Sequence, residues 1–188
     1  MKYFKKLIGK KVYLSPICPA DAEQYCQWLN DFDVAKYLLI FNRQLGLERE
    51  KALLDDMVRS DAQIFGIIDL MNDKLIGNCS IFRINERNRK AEVGIFIGDK
   101  DYLNKGYGSE ALSLLLDYGF NILNLNNIML EVFDFNKRAL KSYQKVGFKI
   151  IGCRREAVIA GGEKHDEIYL DILASEFVSP FIKPKLEE

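Results

Sequence analysis

The segment of this sequence best suited to chemistry is a glycine-containing loop, Asp101 to Ala111, which reads Asp-Tyr-Leu-Asn-Lys-Gly-Tyr-Gly-Ser-Glu-Ala. It lies between a strand-like run, Ala91 to Ile97, and an apolar helix-like run, Glu110 to Leu123. A loop that opens a helix leaves backbone N–H groups unpaired, and these groups together with the helix dipole favour an anion. The loop therefore predicts a phosphate-binding site, with a plain tight turn before a helix as the alternative.

Two familiar nucleotide-binding motifs fit this loop poorly. A Walker A motif requires a lysine after its last glycine, whereas Gly108 is followed by Ser109 and Glu110. Residues Gly106, Gly108 and Ala111 do match the spacing of a dinucleotide-binding fingerprint. That fingerprint belongs to the first βαβ unit of a fold, whereas this loop follows a series of antiparallel strands. Nucleotide hydrolysis and hydride transfer are therefore disfavoured.

The elements that must position the loop follow from hydrophobic periodicity and turn residues. Strands are expected at 11–17, 63–70, 75–85, 91–97, 128–135, 148–154 and 167–173, and helices at 19–29, within 31–45, and at 47–59, 110–123 and 136–146. An antiparallel series followed by alternating strands and helices predicts an α+β fold. Its central sheet is mixed, mostly antiparallel, of about seven strands, with helices on both faces.

Composition bounds the organisation of the chain. Its 188 residues predict a single domain, with a core at about 11–174 and a mobile tail at 175–188. The formal net charge of zero gives no indication of a nucleic-acid partner. The start of the chain lacks signal-peptide features and no run is long enough for a membrane span, so a cytoplasmic protein without a membrane partner is expected. Four scattered cysteines and one histidine predict free thiols and no metal site.

Three segments read together carry a family resemblance. They are Val93-Gly-Ile-Phe-Ile-Gly98, the loop from Asn104 to Ala111, and Val132 to Phe148, in which Asn136, Ala139, Tyr143, Lys145, Gly147 and Phe148 keep a fixed spacing. With Ala91-Glu-Val-Gly94, these segments resemble the GNAT superfamily of N-acetyltransferases. The branch that they resemble contains the ribosomal-protein N-terminal and spermidine acetyltransferases. The resemblance extends over about Val12 to Leu173.

The resemblance implies acetyl-coenzyme A as the acetyl donor, bound at the loop through backbone N–H groups that contact its pyrophosphate. The residues implied to bind it are Ile95, Phe96, Ile97, Leu103, Asn104, Lys105, Gly106, Tyr107, Gly108, Ser109, Asn136 and Tyr143. Many relatives have Arg, Gln or Trp in place of Leu103, so this chain lacks a side-chain donor there. The resemblance also implies that a backbone N–H of the splayed strand, at Ile95 or a neighbour, polarises the thioester carbonyl.

The implied reaction is direct attack of a primary amine on the thioester within a ternary complex. The resemblance assigns Tyr143 as the general acid that protonates the departing thiolate; packing in the core is the alternative. Glu92, on the central strand, is the candidate base, because the ammonium form of an amine must lose a proton before attack. A structural ion pair is the alternative for Glu92, and His165 is a weaker candidate base.

The acceptor is the least determined part of the reaction. Acceptor sites in the superfamily are formed by the regions that correspond here to Phe32–Arg59 and Arg155–Asp166. These regions contain the carboxylates and aromatic residues Phe32, Asp33, Tyr37, Phe41, Glu156, Glu163 and Asp166, which suit a cationic amine. A protein N-terminal alanine or serine, or a small amine, is expected. A polyamine, an aminoglycoside, or a non-catalytic acyl-CoA sensor are the alternatives, and the resemblance also allows a homodimer.

Overall fold

The computed structural model describes residues 2–60 and 62–186, and its architecture is one mixed sheet of eight strands with helices on both faces. The strands occur across the sheet in the order β1-β2-β3-β4-β5-β6-β8-β7. Their bounds are β1 Leu7–Ile8, β2 Val12–Pro16, β3 Gln63–Asp69, β4 Leu75–Asn85, β5 Lys90–Ile97, β6 Asn127–Phe133, β7 Lys149–Ala160 and β8 Glu163–Leu173. All neighbouring strands are antiparallel except β5 and β6. The predicted fold class is confirmed.

The helices divide between the two faces of the sheet. Their bounds are α1 Ala22–Leu29, α2 Phe32–Ala35, α3 Leu47–Arg59, α4 Tyr107–Asn121, α5 Lys137–Val146 and α6 Lys183–Leu186. Helices α4 and α5 pack on the larger core, which takes alternate residues of β2 such as Val12 and Leu14. Helices α1 and α3 pack on the opposite face, over Tyr13 and Ile68. This division follows from the two-residue period of a strand, which sends successive side chains to opposite faces.

The parallel pair β5 and β6 opens a gap in the middle of the sheet. The two strands pair only where Lys90, Ala91 and Glu92 face Asn127, Ile128 and Met129. Beyond this point β5 continues along β4 to Ile97, while β6 continues along β8 to Phe133. The strands therefore diverge, and a cleft forms between their carboxyl ends, where ligands commonly bind in such sheets.

The structure differs from the sequence prediction at both ends of the chain. Strand β1 is an additional edge strand, because Leu7 and Ile8 pair with Leu14 and Tyr13. The tail is not free over its described part: the buried carboxylate of Asp117 accepts hydrogen bonds from the backbone N–H groups of Phe181 (2.8 Å) and Ile182 (2.9 Å). Phe181 and Ile182 are therefore held against α4, while mobility of the tail stays a prediction, and residues 187–188 lie outside the described residues.

Two further elements begin or end elsewhere than expected. Helix α4 begins at Tyr107 rather than Glu110, so the glycine-containing loop is shorter and Gly108 lies in the first helical turn. Strand β7 extends to Ala160 and forms a long hairpin with β8. Across the residues that the structure describes, no helix has the length and apolar character needed to cross a bilayer.

Candidate active site

The gap between β5 and β6 contains a cleft of about 690 Å³, and most of the predicted cofactor-binding residues line it. Those on the cleft surface are Ile95, Phe96, Ile97, Leu103, Asn104, Gly106, Gly108, Ser109, Asn136 and Tyr143. Lys105, Tyr107 and Glu92 are the predicted site residues that do not line it. Because both faces of the sheet contribute residues, the cleft passes between the strands. One end lies beside α4 and α5, and the other lies beneath α1 and α3.

The loop that leads into α4 has the conformation of an anion-binding site. Asn104 and Gly106 both have positive φ angles, of 60° and 84°, and they turn the backbone so that its N–H groups point outward. Within the described part of the chain, the backbone N–H groups of residues 104–109 have no hydrogen-bond acceptor. These donors lie at the positive end of the α4 dipole, so they are suited to a pyrophosphate. The loop therefore fits the implied acetyl-CoA.

A lysine from the edge of the sheet supports this loop. The Lys11 ammonium donates to the Lys105 carbonyl (2.7 Å) and lies 5.4 Å from the centre of the Tyr107 ring. Glu110 fixes the same edge, since its Oε1 accepts from the backbone N–H groups of Lys11 (2.6 Å) and Val12 (3.1 Å). Lys11 could not be predicted from the sequence pattern, because 94 residues separate it from Lys105 along the chain.

Helix α5 adds positive charge to the same end of the cleft. Arg138, Lys141 and Lys145 all line the cleft and are exposed, and the Arg138 guanidinium lies toward the helical side, 5.5 Å from the centre of the Tyr37 ring. Cations at this position attract an anionic ligand such as a coenzyme with several phosphates. Of these residues only Lys145 belongs to the family spacing found in the sequence. The positive charge of this end depends on the helix orientation, which the sequence alone does not specify.

Asn136 caps the start of helix α5. Its Oδ1 accepts a hydrogen bond from the Ala139 N–H (3.2 Å) at the start of α5. The side chain is buried yet lines the cleft, and among the described residues its amide nitrogen has no acceptor. Asn136 is therefore able to cap α5 and to donate to a ligand at the same time. Nearby, the hydroxyl groups of Ser109 and Ser142 hydrogen bond (2.8 Å) and join α4 to α5.

Tyr143 lies on the face of α5 that packs against the core, with Ala139, Leu140 and Val146. Its ring is 6.2 Å from that of Phe148, and the residue also lines the cleft. No described residue hydrogen bonds to its hydroxyl. Burial raises the pKa of Tyr143 to about 12, so the phenol retains its proton at neutral pH. A protonated phenol that is unpaired and faces the cleft is suited to donate a proton.

The backbone of β5 points N–H groups into the gap. The Gly98 N–H donates to the Ile76 carbonyl (2.9 Å). Because only every second residue of β5 hydrogen bonds to β4, this bond shows which residues of β5 face β4 and which face away. By this alternation Gly94 and Phe96 direct their N–H groups to β4, and Ile95 and Ile97 direct theirs to the side of β6. Because pairing with β6 ends at Glu92, the Ile95 N–H faces the cleft. This placement is consistent with the predicted carbonyl-polarising donor.

The candidate base Glu92 lies beside the cleft rather than on its surface. Its carboxylate forms an ion pair with Arg83 (2.8 Å) on β4. Its register partner on β6 is Met129, and two residues further along the same face of β6 lies Glu131, which does line the cleft. Burial raises the pKa of Glu131, and the neighbouring charges of Glu167 and Glu92 raise it further. Glu131 was missed because its strand pattern does not reveal which face opens to a cavity.

The end of the cleft beneath the helices is apolar, with a few acidic and hydroxyl groups. Its walls include Leu29, Val34, Tyr37, Leu38, Leu54 and Met57 from the helical side and Asn78, Ser80 and Phe82 from the sheet. The polar side chains there include Tyr25, Asp33 and Glu50. Of the acceptor residues predicted from the sequence, Asp33 and Tyr37 are on this surface.

The late hairpin lies away from the cleft. Glu156 forms an ion pair with Lys164 (2.6 Å), and Asp166 accepts from the Glu156 N–H (2.9 Å). His165 pairs with Asp134 (3.1 Å) and packs on the ring of Phe135 (4.7 Å between centroids). None of these hairpin residues contributes to the cleft surface.

Comparison with known proteins identifies the class to which this fold and site belong. The sequence profile described as the acetyltransferase (GNAT) domain matches residues 11–149. The chain therefore belongs to the GNAT acetyltransferase family, and it is an N-acetyltransferase.

Individual relatives agree with this assignment. The uncharacterized N-acetyltransferase p20 of Bacillus licheniformis is 31% identical, over 93% of this chain and 97% of its own length. A spermidine N(1)-acetyltransferase of Escherichia coli strain K12 is 27% identical, over 70% of each chain. The solved structure of spermidine N-acetyltransferase from Vibrio cholerae, in complex with CoA and spermine, superposes with a TM-score of 0.80 at 25% identity, over 89% of this chain and 98% of that one.

Proposed function

We propose that this protein transfers the acetyl group of acetyl-CoA directly to a primary amine, with both substrates bound in the cleft between β5 and β6. The acceptor is a protein N-terminal alanine or serine or a small amine. The observation that carries the proposal is the opposite charge of the two ends of the cleft. Unpaired N–H groups at residues 104–109 and the α5 lysines Lys141 and Lys145 line one end. Carboxyl groups lie at the other: Glu50 is buried without a basic partner among the described residues, and Asp33 pairs with Lys36 (2.9 Å).

This polarity matches the charges of the two substrates. Acetyl-CoA is an anion, and its phosphates belong at the basic end, beside the loop that Lys11 supports and the α5 lysines. The acceptor amine is mostly an ammonium at neutral pH, since a lysine-like amine has a pKa of about 10, and it belongs at the acidic end. The thioester and the amine then meet in the gap between the strands, where the sheet itself separates the two binding regions.

The reaction requires two proton transfers, and the cleft offers a group for each. A carboxylate removes a proton from the ammonium, and the freed amine attacks the thioester carbonyl to form the new C–N bond. The Ile95 N–H stabilises the oxyanion that develops. The C–S bond then breaks, and the Tyr143 phenol gives its proton to the leaving thiolate. The nitrogen of the tetrahedral intermediate loses its excess proton, which restores the Tyr143 phenol, and the proton held by the carboxylate passes to solvent, so the amide keeps one N–H.

Glu131 is our preferred candidate for the base. It lines the cleft, and its pKa is raised. A carboxylate with a raised pKa is a stronger base and therefore accepts a proton from an ammonium group more readily. Glu92 is the other candidate, since it lies on the same face of the sheet. Its ion pair with Arg83 favours the alternative that Glu92 is structural and adjusts the charge around Glu131.

Polyamines are a second acceptor class, favoured by the acidic groups of the helical end and by relatives named as spermidine acetyltransferases. An aminoglycoside would require the same acidic end. A non-catalytic acyl-CoA sensor would require the loop and α5 but no acceptor region.

The deciding experiment incubates the protein with acetyl-CoA and a panel of amines, and identifies the products by mass spectrometry. The panel contains peptides beginning with alanine or serine, polyamines and aminoglycosides. A mass gain of one acetyl group on any amine, with release of CoA, supports the proposal and names the acceptor. CoA binding without acetylation of any panel member contradicts it and favours the sensor.

A further inference from the structure

Glu50 is a buried carboxyl group for which the proposed reaction has no use. It is 4% exposed, and it lines the cleft at the helical end. Within residues 2–60 and 62–186, its Oε2 atom is fully buried and has no hydrogen-bond partner. No lysine, arginine or histidine of the described chain forms an ion pair with it. A carboxyl group in this condition is rare in folded proteins, because burial without a partner is unfavourable.

Glu50 is a charged residue at a position of α3 where the helix pattern favours an apolar one. Glu50 and Leu54, one helical turn apart, are the residues that α3 buries. Leu54 is 1% exposed and belongs to the apolar core of this face. A leucine at position 50 would continue the same apolar stripe, so the helix pattern favours a hydrophobic residue here. Departures from the expected pattern of this kind concentrate at functional sites.

No charged group of the described chain offsets the burial of Glu50. Burial raises its pKa, and its charge in turn contributes to a raised pKa of the Cys26 thiol on α1. Tyr25, which precedes Cys26 in α1, also lines the cleft. Its buried hydroxyl likewise has no partner of hydrogen-bond geometry among the described residues. A carboxylate and a phenol oxygen on one wall of the cleft suit a ligand with several N–H donors. An ammonium group has three such donors and a compensating charge.

We propose that Glu50 binds a second cationic group of the acceptor, so that amines with two ammonium groups are acetylated in preference to monoamines. The inference rests on the proposed function for the reacting amine, which lies in the gap near Glu131. Glu50 belongs to a different wall, on α3, and therefore contacts a part of the acceptor away from the acetylated nitrogen. It is a specificity-determining residue. The second ammonium can belong to a small polyamine or to a lysine side chain of a peptide acceptor.

The test compares two matched pairs of acceptors. The first pair is 1,4-diaminobutane and n-butylamine, and the second is a peptide amide beginning Ser-Lys and the same peptide with norleucine in place of the lysine. The ratio of kcat/KM within each pair is measured for the wild type, Glu50→Gln and Glu50→Leu. Asp56→Asn is the control, because Asp56 is an exposed acid on the same helix that does not line the cleft.

The wild type is expected to favour the dication in at least one pair, and both Glu50 variants should lower that ratio by about tenfold or more, as expected when a charge-assisted hydrogen bond is lost. Asp56→Asn should leave it unchanged. An effect confined to the amine pair assigns the site to small polyamines, and one confined to the peptide pair assigns it to lysine. A wild type without preference, or a smaller fall in the ratio, overturns the proposal.

Equilibrium binding separates this inference from the proposed function. If no amine is acetylated, the proposed function fails, but binding of the four acceptors to the CoA-bound protein still reports on Glu50. The dication should then bind about tenfold more weakly to Glu50→Gln than to the wild type, and equal affinities overturn the inference. Thermal unfolding shows that the variants fold. Glu50→Leu is expected to melt at or above the wild-type temperature, because it continues the apolar stripe of α3.

Discussion

Replacement of Tyr143 by phenylalanine separates a catalytic role from core packing. The hydroxyl of Tyr143 has no hydrogen-bond partner in the described chain, while its ring packs against the core and beside Phe148. Phenylalanine retains the ring and loses only the hydroxyl. Because no buried donor or acceptor loses its partner, the free energy of unfolding should change by less than about 0.5 kcal/mol.

The effect on catalysis should be much larger than the effect on stability. With a pKa of about 12, raised by burial, Tyr143 is a tyrosinate in only about one molecule in 10⁵ at pH 7, so its proton is present when the thiolate leaves. Loss of a general acid typically lowers the rate by about 10² to 10⁴, which is about 2.7 to 5.4 kcal/mol of activation free energy. We therefore expect kcat of Tyr143→Phe to fall by at least about 10² with KM for acetyl-CoA nearly unchanged.

The assay is release of free thiol from acetyl-CoA under saturating acceptor, with rapid mixing to establish that no product burst precedes the steady state. Tyr118→Phe is the matched control. Its hydroxyl donates to Gln63 Oε1 (3.2 Å) away from the cleft, so this variant should lose about 1 kcal/mol of stability and keep its kcat. If kcat of Tyr143→Phe stays within about threefold of the wild type while chemistry is rate-limiting, the general-acid assignment is refuted.

Three further predictions concern the base, the loop and the tail. If Glu131 is the base, kcat/KM of the wild type falls as pH drops through the raised pKa of Glu131. Glu131→Gln should abolish this pH dependence. Glu92→Gln should shift it to lower pH, because it removes a like charge beside Glu131. The reverse pattern would assign the base to Glu92. Gly106→Ala should weaken CoA binding about tenfold in calorimetry, because a Cβ strains a φ of 84° by about 1–2 kcal/mol, and Gly152→Ala, in open space, should not. Asp117→Ala should lower the free energy of unfolding by about 2–4 kcal/mol and expose the tail to proteases without lowering kcat; a tail that stays protected contradicts its anchoring role.

Features that depend on neighbours along the chain were predictable from the sequence. Helix α3, at Leu47–Arg59, and strand β4, at Leu75–Asn85, have the predicted bounds, because each has a clear periodicity between turn residues. The cap at Asn136 and the positive φ at Gly106 are local for the same reason: a helix start and a tight turn are decided within a few residues. The end of the cleft beside the loop consists largely of such features, and most of the residues predicted to bind the cofactor line the cleft.

Features that depend on distant strands were not predictable. Lys11 reaches the loop only because β2 packs against α4. Glu131 faces a cavity because β5 and β6 stop pairing after Glu92, and no periodicity encodes the residue at which a parallel pair separates. Glu92 meets an arginine because β4 pairs with the other side of β5. The tail was expected to be mobile because its anchor, Asp117, resembles any polar residue of a helix until the fold buries it.

By itself the sequence determined the order of the elements, the phosphate loop and its cap residues, and through them the family. These features are local, and their conformations follow from residue type and spacing. Only the tertiary structure decided which carboxylates face the cleft. Glu50 and Glu131 have the sequence context of ordinary surface charges on a helix and a strand. Each acquires its environment from elements far away in the chain, which desolvate it and direct it into a shared cleft.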